Sequence, residues 1–437
     1  MSLSFPNGES GDSMSVSALQ AYVGATLIDG LGHDPIEKSV LVIENGVIVA
    51  MGQAGSVKIP ENARKIDVDG LTLLPGIIDC HTHLGGASTT DYSDWVLENN
   101  TRQAMVSTVQ MTELMKSGVT TIRDISRNGL HLKWAVNADI LKGPRIISCG
   151  PGISRTGGHG DAHNLPHEIV TRDHPWATLA DGPEELRKTV RILSRMGSDA
   201  VKIWATGGGM WDKELETDQH FDLEELKMVV NEAALLGMPV LAHAESLGGA
   251  KDAIRAGVAT IEHGEELDDE CREMMVSKNI IHVPTLQLFL GPWFDNYPPP
   301  PRIGLENYRG ETMIEKEKNR VMDNFNASRL AGVTIAVGSD SFSSKDVPYG
   351  ESTLEEIRTM VRTGMPPMDA LVAGTSNGAK ALRVTSVTGS LEIGKAGDMI
   401  LLEGDPLINI ELLRAENMRF IARGTQVWKD EVTNSLT

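Results

Sequence analysis

Between residues 21 and about 74 the chain runs in short apolar stretches of strand length, at 25–29, 40–43 and 47–50, separated by turn residues. Asn45-Gly46 between two of these runs is a strong hairpin signal. This segment therefore predicts an antiparallel meander. From about residue 75 the rhythm changes, and strand-length apolar runs alternate with helical segments, the pattern of parallel βα units. Eight runs fall at about 75–81, 119–124, 145–149, 200–204, 239–243, 259–263, 281–284 and 334–339, and eight is the number that closes a (β/α)8 barrel. One intervening helix is marked at both ends. Asp222 is its N-cap and Glu225 the capping-box partner; Leu226, Val229, Val230, Ala233 and Leu236 form one stripe; Gly237 and Pro239 stop it. From about residue 388 the β-type runs return, at 399–402, 420–422 and 424–428.

Composition narrows the function. A formal charge of -20 argues against nucleic acid or an anionic membrane as partner, since both need basic patches. A small-molecule substrate is expected, with self-association into a homo-oligomer left open. Cys80, Cys149 and Cys271 are odd in number and widely spaced, which implies no disulfide framework and suits a reducing cytoplasm. No apolar run reaches membrane-spanning length, and none precedes the first basic residue, Lys38, as a signal peptide would require. Residues 1–16, rich in Ser and Gly, read as a disordered segment.

The chemistry centres on residues 73–84, an apolar run that delivers His81 and His83. Alternate strand residues share a face, so the two imidazoles can meet one ion. Cys80, between them, points the other way and reads as a buried hydrophobe. Four further candidate ligands stand at or near the ends of later strands: Lys202, His243, His263 and Asp340. Active sites of (β/α)8 barrels gather at those strand ends. An ammonium inside a barrel strand is badly solvated, so burial should favour the neutral, reactive amine of Lys202.

The order H-x-H, Lys, His, His, Asp resembles the binuclear-metal branch of the amidohydrolase superfamily, specifically the imidazolonepropionase-related and Xaa-Pro or Xaa-Arg dipeptidase-like hydrolases. The resemblance runs from about residue 25 to 428. It includes Ser117-Gly118-Val119-Thr120-Thr121-Ile122-Arg123-Asp124, Gly143-Pro144-Arg145-Ile146-Ile147, Gly157-Gly158-His159-Gly160-Asp161 and Gly394-Lys395-Ala396-Gly397-Asp398. It implies an α/β fold, a (β/α)8 TIM barrel over 73–383, with a composite β-sandwich formed by 17–72 and 384–437. It also implies two divalent ions: His81, His83 and Asp340 on the more buried one, His243 and His263 on the other, and Lys202 bridging both as a carbamate. Zinc is the expected metal, and manganese, cobalt or iron suit the same donors. Two such ions share a hydroxide that attacks the substrate carbonyl, with Asp340 moving the proton to the leaving amine.

Around this centre, His159 is expected on the substrate carbonyl or oxyanion. The loop Gly207-Gly208-Gly209-Met210-Trp211 and residues 293–301 are lid candidates, so Trp211, Trp293, Phe294 and Tyr297 are expected to line the pocket, with the four prolines of 298–301 a stiff spacer. His131, His163, His167, His174, His220 and His282 are expected to be solvent-exposed. One departure matters. Where dipeptidase-like relatives often read His-Ala-Tyr, with the tyrosine helping to hold a substrate carboxylate, this chain reads His243-Ala244-Glu245. Glu245 would repel an anion there, or orient a ligand instead. The leading expectation is hydrolysis of a dipeptide or N-acyl amino acid. A cyclic amide, lactone, carbamate or urea is the alternative substrate class, and a non-catalytic scaffold of the same fold the alternative from another class.

Overall fold

The computed structural model describes residues 19–86, 92–208, 210–211, 214–293, 311–343 and 347–433. The N-terminal segment forms β1 (Leu19–Val23), β2 (Thr26–Leu27), β3 (Ser39–Glu44), β4 (Val47–Gln53), β5 (Arg64–Asp67) and β6 (Leu71–Pro75). The β3–β4 hairpin turns at Asn45 and Gly46, both with positive φ (50° and 77°), as that turn chemistry requires. The barrel strands follow: β7 (Ile77–Thr82), β8 (Val119–Asp124), β9 (Arg145–Ser148), β10 (Gly152–Ser154), β11 (Ala177–Leu179), β12 (Val201–Trp204), β13 (Val240–Ala244), β14 (Thr260–His263) and β15 (Ile281–Val283). The chain closes with β16 (Met399–Glu403), β17 (Met418–Arg423) and β18 (Gln426–Asp430).

The strands form two sandwich sheets, ordered β4-β3-β1-β5 and β18-β17-β16-β6-β2, and two arcs of barrel, β7-β8-β9 and β11-β10-β12-β13-β14-β15. The second sandwich sheet joins both ends of the chain, because β6 pairs antiparallel with β16, Leu74 opposite Ile400. Its central strands β6 and β16 are buried on both faces and so read as largely apolar runs. Leu73, Met399 and Leu401 face the sandwich interior with Tyr22, Leu41 and Phe420; Leu74, Ile400 and Leu402 face the barrel's outer layer with Ile77, Ile122 and Leu354. The molecule is thus a (β/α)8 barrel with a composite β-sandwich.

Two expected strands differ. The third run breaks at Cys149–Pro151, so that β9 pairs with β8 while β10 pairs with β12 and the extra strand β11. The eighth run, 334–339, is not a regular strand: it is an extended segment bonded to β15 through Ala336 N to His282 O (2.9 Å) and to β7 through Cys80 N to Val337 O (2.8 Å). Those bonds close the barrel, but too few are consecutive to make a ladder. The helix Leu223–Leu235 carries the expected capping box, Asp222 accepting from Glu225 N (2.8 Å) and Glu225 from Asp222 N (3.0 Å). No helix among the described residues is long and apolar enough to cross a membrane.

Candidate metal centre

The side chains inside the barrel are polar, and the apolar ones face the helices. In β7, Asp79 and His81 point in while Ile78 and Cys80 pack outward, the Cys80 thiol 3.8 Å from Gly378 O. His83 follows just past the strand. Lys202, second in β12, is fully buried. His243 lies in β13 and Glu262 in β14; Asp340 ends the eighth segment, where its N–H donates to His81 O (2.8 Å). His263 should point outward by strict alternation, since Glu262 before it faces in. It does not, because its backbone is left-handed (φ 64°), as is that of Asp340 (φ 51°). Such conformations are costly for residues other than glycine and persist only where the surroundings impose them. Both turn a candidate ligand into the barrel mouth.

There the candidate ligands come together. Asp340 Oδ1 lies 2.9 Å from His83 Nε2 and 3.5 Å from His81 Nε2, and Lys202 Nζ lies 3.4 Å from His81 Nε2. The His263 ring centroid is 5.3 Å from that of His81 and 4.7 Å from that of His243. Donor atoms of His81, His263 and Asp340 lie within 4.8 Å of one another, and so do those of His243, Glu245 and His263.

Each imidazole is held from behind. His81 Nδ1 meets Glu262 Oε2 (2.8 Å), His83 Nδ1 meets Ile125 O (2.9 Å), His243 Nε2 meets Gly207 O (3.1 Å) and His263 Nδ1 meets Thr285 Oγ1 (2.7 Å). The first three partners only accept, so those nitrogens carry a proton, and wherever the ring is neutral the opposite nitrogen keeps its lone pair. Burial, with the nearby Lys202 charge, pushes His81 down to about 4. Burial likewise holds His243 and His263 well below the usual imidazole range. Neutral rings at His81, His243 and His263, each with a lone pair to offer, are what a divalent ion needs.

The same interior contains an ion pair that the sequence does not advertise. Glu262 accepts from Arg123 Nη2 (2.7 Å), while Arg123 Nε donates to Cys80 O (2.6 Å). Burial would raise the Glu262 carboxyl, but Arg123 and His81 outweigh it and hold it below its ordinary range. Burial lowers Lys202 from 10.5 to about 8, against the opposing attraction of Glu262 and Asp340. Asp340 is also held well below the carboxylate range, because His81 and His83 overcome the effect of burial.

At the mouth, the His159 ring stacks on His243 (centroids 4.5 Å, 23°), and its Nδ1 meets Glu214 Oε1 (2.8 Å). Glu245 Oε1 lies 3.6 Å from His243 Nε2. Trp95 and Trp176, not anticipated from sequence, stack on each other (5.2 Å, 19°) and stand edge-on to His83. Trp211 is buried and its indole N–H donates to His159 O (2.8 Å), so it buttresses His159. Trp293 is half-buried at the edge of the described region; Phe294, Tyr297 and 298–301 lie outside the described residues.

Three histidines expected in solvent are buried: His174 bonds the Ala177 N–H, His282 Nε2 bonds His263 O (2.7 Å), and His220 packs beside the loop after β12. His282 belongs to a barrel strand, and its bond secures the carbonyl of left-handed His263. His131 and His167 are exposed, and His163 is half-buried.

The donor set fits divalent metal: imidazoles with fixed proton positions, one carboxylate within reach of two of them, and a lysine whose amine is easily neutralised. Comparison with known proteins agrees with that chemistry. A family model described as "Amidohydrolase family" matches residues 72–429. The chain is 29% identical to an ochratoxinase of Aspergillus niger, covering 93% of this chain and 85% of that protein. A crystal structure of A. niger ochratoxinase aligns with a TM-score of 0.84 at 27% identity, covering 94% of this chain and 96% of that one. A Xaa-Pro dipeptidase with methionine bound in its active site aligns with a TM-score of 0.81 at 29% identity, covering 94% and 100%. An imidazolonepropionase of Rhizobium rhizogenes is 25% identical over 85% of this chain and 88% of that protein.

Proposed function

The chain belongs to the amidohydrolase family, a hydrolase acting on carbon–nitrogen bonds, and from that premise we propose that it is a binuclear metal-dependent amide hydrolase whose substrate is a dipeptide or N-acyl amino acid. The observation that carries this reading is a pair of adjoining donor groups, His81, His263 and Asp340 in one and His243, Glu245 and His263 in the other, with His83 Nε2 2.9 Å from Asp340 and Lys202 Nζ 3.4 Å from His81. His81, His83 and Asp340 would hold one ion, and His243 and His263 the other. Lys202 would bridge them as a carbamate, formed when its neutral amine adds carbon dioxide and releases a proton. The ions, when bound, supply Lewis acidity that draws electron density from the carbonyl and lowers the pKa of water from 15.7 toward about 7. Zinc, manganese, cobalt and iron all suit these donors.

The side chains do the rest. Asp340, ionised and within 2.9 Å of His83, takes a proton from the attacking water and returns it to the leaving nitrogen as the carbon–nitrogen bond breaks. His159 presents its ring to the carbonyl oxygen and stabilises the charge that develops there. Similarity to a Xaa-Pro dipeptidase and an ochratoxinase supports a linear amide. Glu245 favours a second reading, a cyclic amide, lactone, carbamate or urea, because its buried carboxylate beside His243 repels an anionic substrate end.

The test is elemental analysis of protein purified without chelator, paired with turnover of dipeptide and N-acyl amino acid libraries. Two metals per chain with turnover of a linear amide is the expected result. Two metals with turnover confined to cyclic amides, carbamates or ureas would shift the assignment to the second reading. One metal or none after reconstitution, with Lys202 unmodified, would refute the binuclear centre.

A further inference from the structure

The His159 ring stands at the mouth and hydrogen-bonds one side chain through Nδ1. That partner is Glu214, 55 residues away, whose side chain is fully buried. Its carboxylate does more than meet the ring. Oε1 accepts from His159 Nδ1 (2.8 Å) and Gly208 N (3.0 Å), and Oε2 from Met210 N (2.9 Å) and Trp211 N (3.4 Å). The Trp211 indole N–H returns across the same gap to His159 O (2.8 Å). The loop after β12 and the loop carrying His159 are therefore keyed together around one buried carboxylate.

The ring itself has little freedom. His243 stacks on one face, Trp176 stands edge-on at 6.4 Å, and Trp204 lies at 6.2 Å. Gly208 lies so close that a Cβ there would fall 2.5 Å from His159 Cε1 and 2.9 Å from Glu245 Oε1. Burial would raise the Glu214 carboxyl, yet the charge and hydrogen bond of His159 and the nearby His220 bring it below its ordinary value, so it is an anion and only accepts. Met210 N and Trp211 N already point at its second oxygen. Rotating the carboxylate away from the ring would strand them.

We propose that Glu214 is a positioning residue that holds a proton on His159 Nδ1 and turns Nε2 toward the substrate, so that Nε2, once it too is protonated, donates to the substrate carbonyl, while tying that ring to Gly208, Met210 and Trp211. This rests on the reading of His159 as the group that meets the substrate carbonyl. A carboxylate acceptor fixes the ring whether or not Nε2 also carries a proton. The consequence is that the His159 contact and the placement of Gly208, Met210 and Trp211 stand or fall together. An amide in place of the carboxylate cannot serve both sides, because one end of the carboxamide would face a donor with a donor.

The first test needs no substrate. Nitrogen-15 NMR of histidine-labelled, zinc-loaded protein, with His159 assigned by its loss in His159→Asn, should show Nδ1 protonated. A bare Nδ1 there would overturn the proposal outright. The second test is a double-mutant cycle on any library substrate that is turned over. Glu214→Gln should lower kcat by about 10- to 100-fold, the worth of one charge-assisted hydrogen bond, with KM within about threefold and metal content unchanged. The same change in a His159→Asn background should cost nothing more. An equal loss in both backgrounds, or none in either, would overturn the proposal. A chain that hydrolyses no amide would instead defeat the functional reading, and the NMR result would still decide what Glu214 does to the ring.

Discussion

Replacing Lys202 by methionine should have opposite effects on the metal-free and metal-loaded protein. Lys202 is fully buried, and burial lowers its amine from 10.5 to about 8, a value already net of the attraction of Glu262 and Asp340 and the repulsion of Arg123. At 1.36 kcal/mol per unit, that drop is about 3 kcal/mol. Below pH 8 the ammonium is present in both folded and unfolded chains, so the folded metal-free protein carries the full penalty. Between pH 8 and 10.5 the unfolded chain still binds the proton and the folded chain has released it, so stability rises with pH across that window and the penalty is gone above it. Lys202→Met removes the titrating group. In chelator, the variant should be about 3 kcal/mol more stable than the parent at neutral pH, within the range seen when buried charges become hydrophobes, and the two should converge near pH 10.5. Loaded with metal, the order reverses, since the variant can form no carbamate and should retain fewer ions. Urea unfolding of both proteins across this pH range gives the difference directly. A metal-free variant less stable at neutral pH, or a gap that ignores pH, would refute the account of Lys202 as a strained, readily neutralised amine.

Three further outcomes follow from the same geometry. His81→Ala should reduce the metal content measured by elemental analysis and abolish turnover without altering the far-ultraviolet circular dichroism, and unchanged metal with full turnover would show the ligands misassigned. Arg123→Leu leaves the buried Glu262 carboxylate without its guanidinium and should cost about 3–5 kcal/mol in urea unfolding; a loss under about 1 kcal/mol would mean the pair does not hold Glu262 ionised. Gly86→Ala would set a Cβ 1.8 Å from Phe342 O and 2.8 Å from Tyr349 Oη. Because the first obstacle is backbone, the segment after β7 must move, and a loss of at least about 2 kcal/mol in thermal unfolding is expected.

Much of the centre is legible in the sequence. His81 and His83 are two apart at the end of a strand, so extended-chain alternation turns them to one side, and the β12 and β13 patterns bring Lys202 and His243 toward the same end. The β3–β4 hairpin and the capping box at Asp222 were equally readable, because each depends on residues within four positions of each other. His263 reaches the barrel mouth for a reason alternation does not supply: its inward turn comes from a left-handed backbone. The exposed setting expected for His174, His220 and His282 failed because their burial depends on what packs over them. His282 sits in a strand of three residues, too short for periodicity to reveal its surroundings.

The groups that tune the centre are a product of the tertiary structure. Glu262 lies 139 residues from Arg123 and 181 from His81, Glu214 lies 55 from His159, and no local period links such positions. What the sequence by itself determined is where most strands run and, short of an exception such as His263, which residues share a strand face, since backbone geometry repeats every two or 3.6 residues and is encoded locally. What only the closed barrel decided is which carboxylate stands behind which imidazole, because burial and hydrogen-bond partners exist only once distant strands meet and water has been excluded between them.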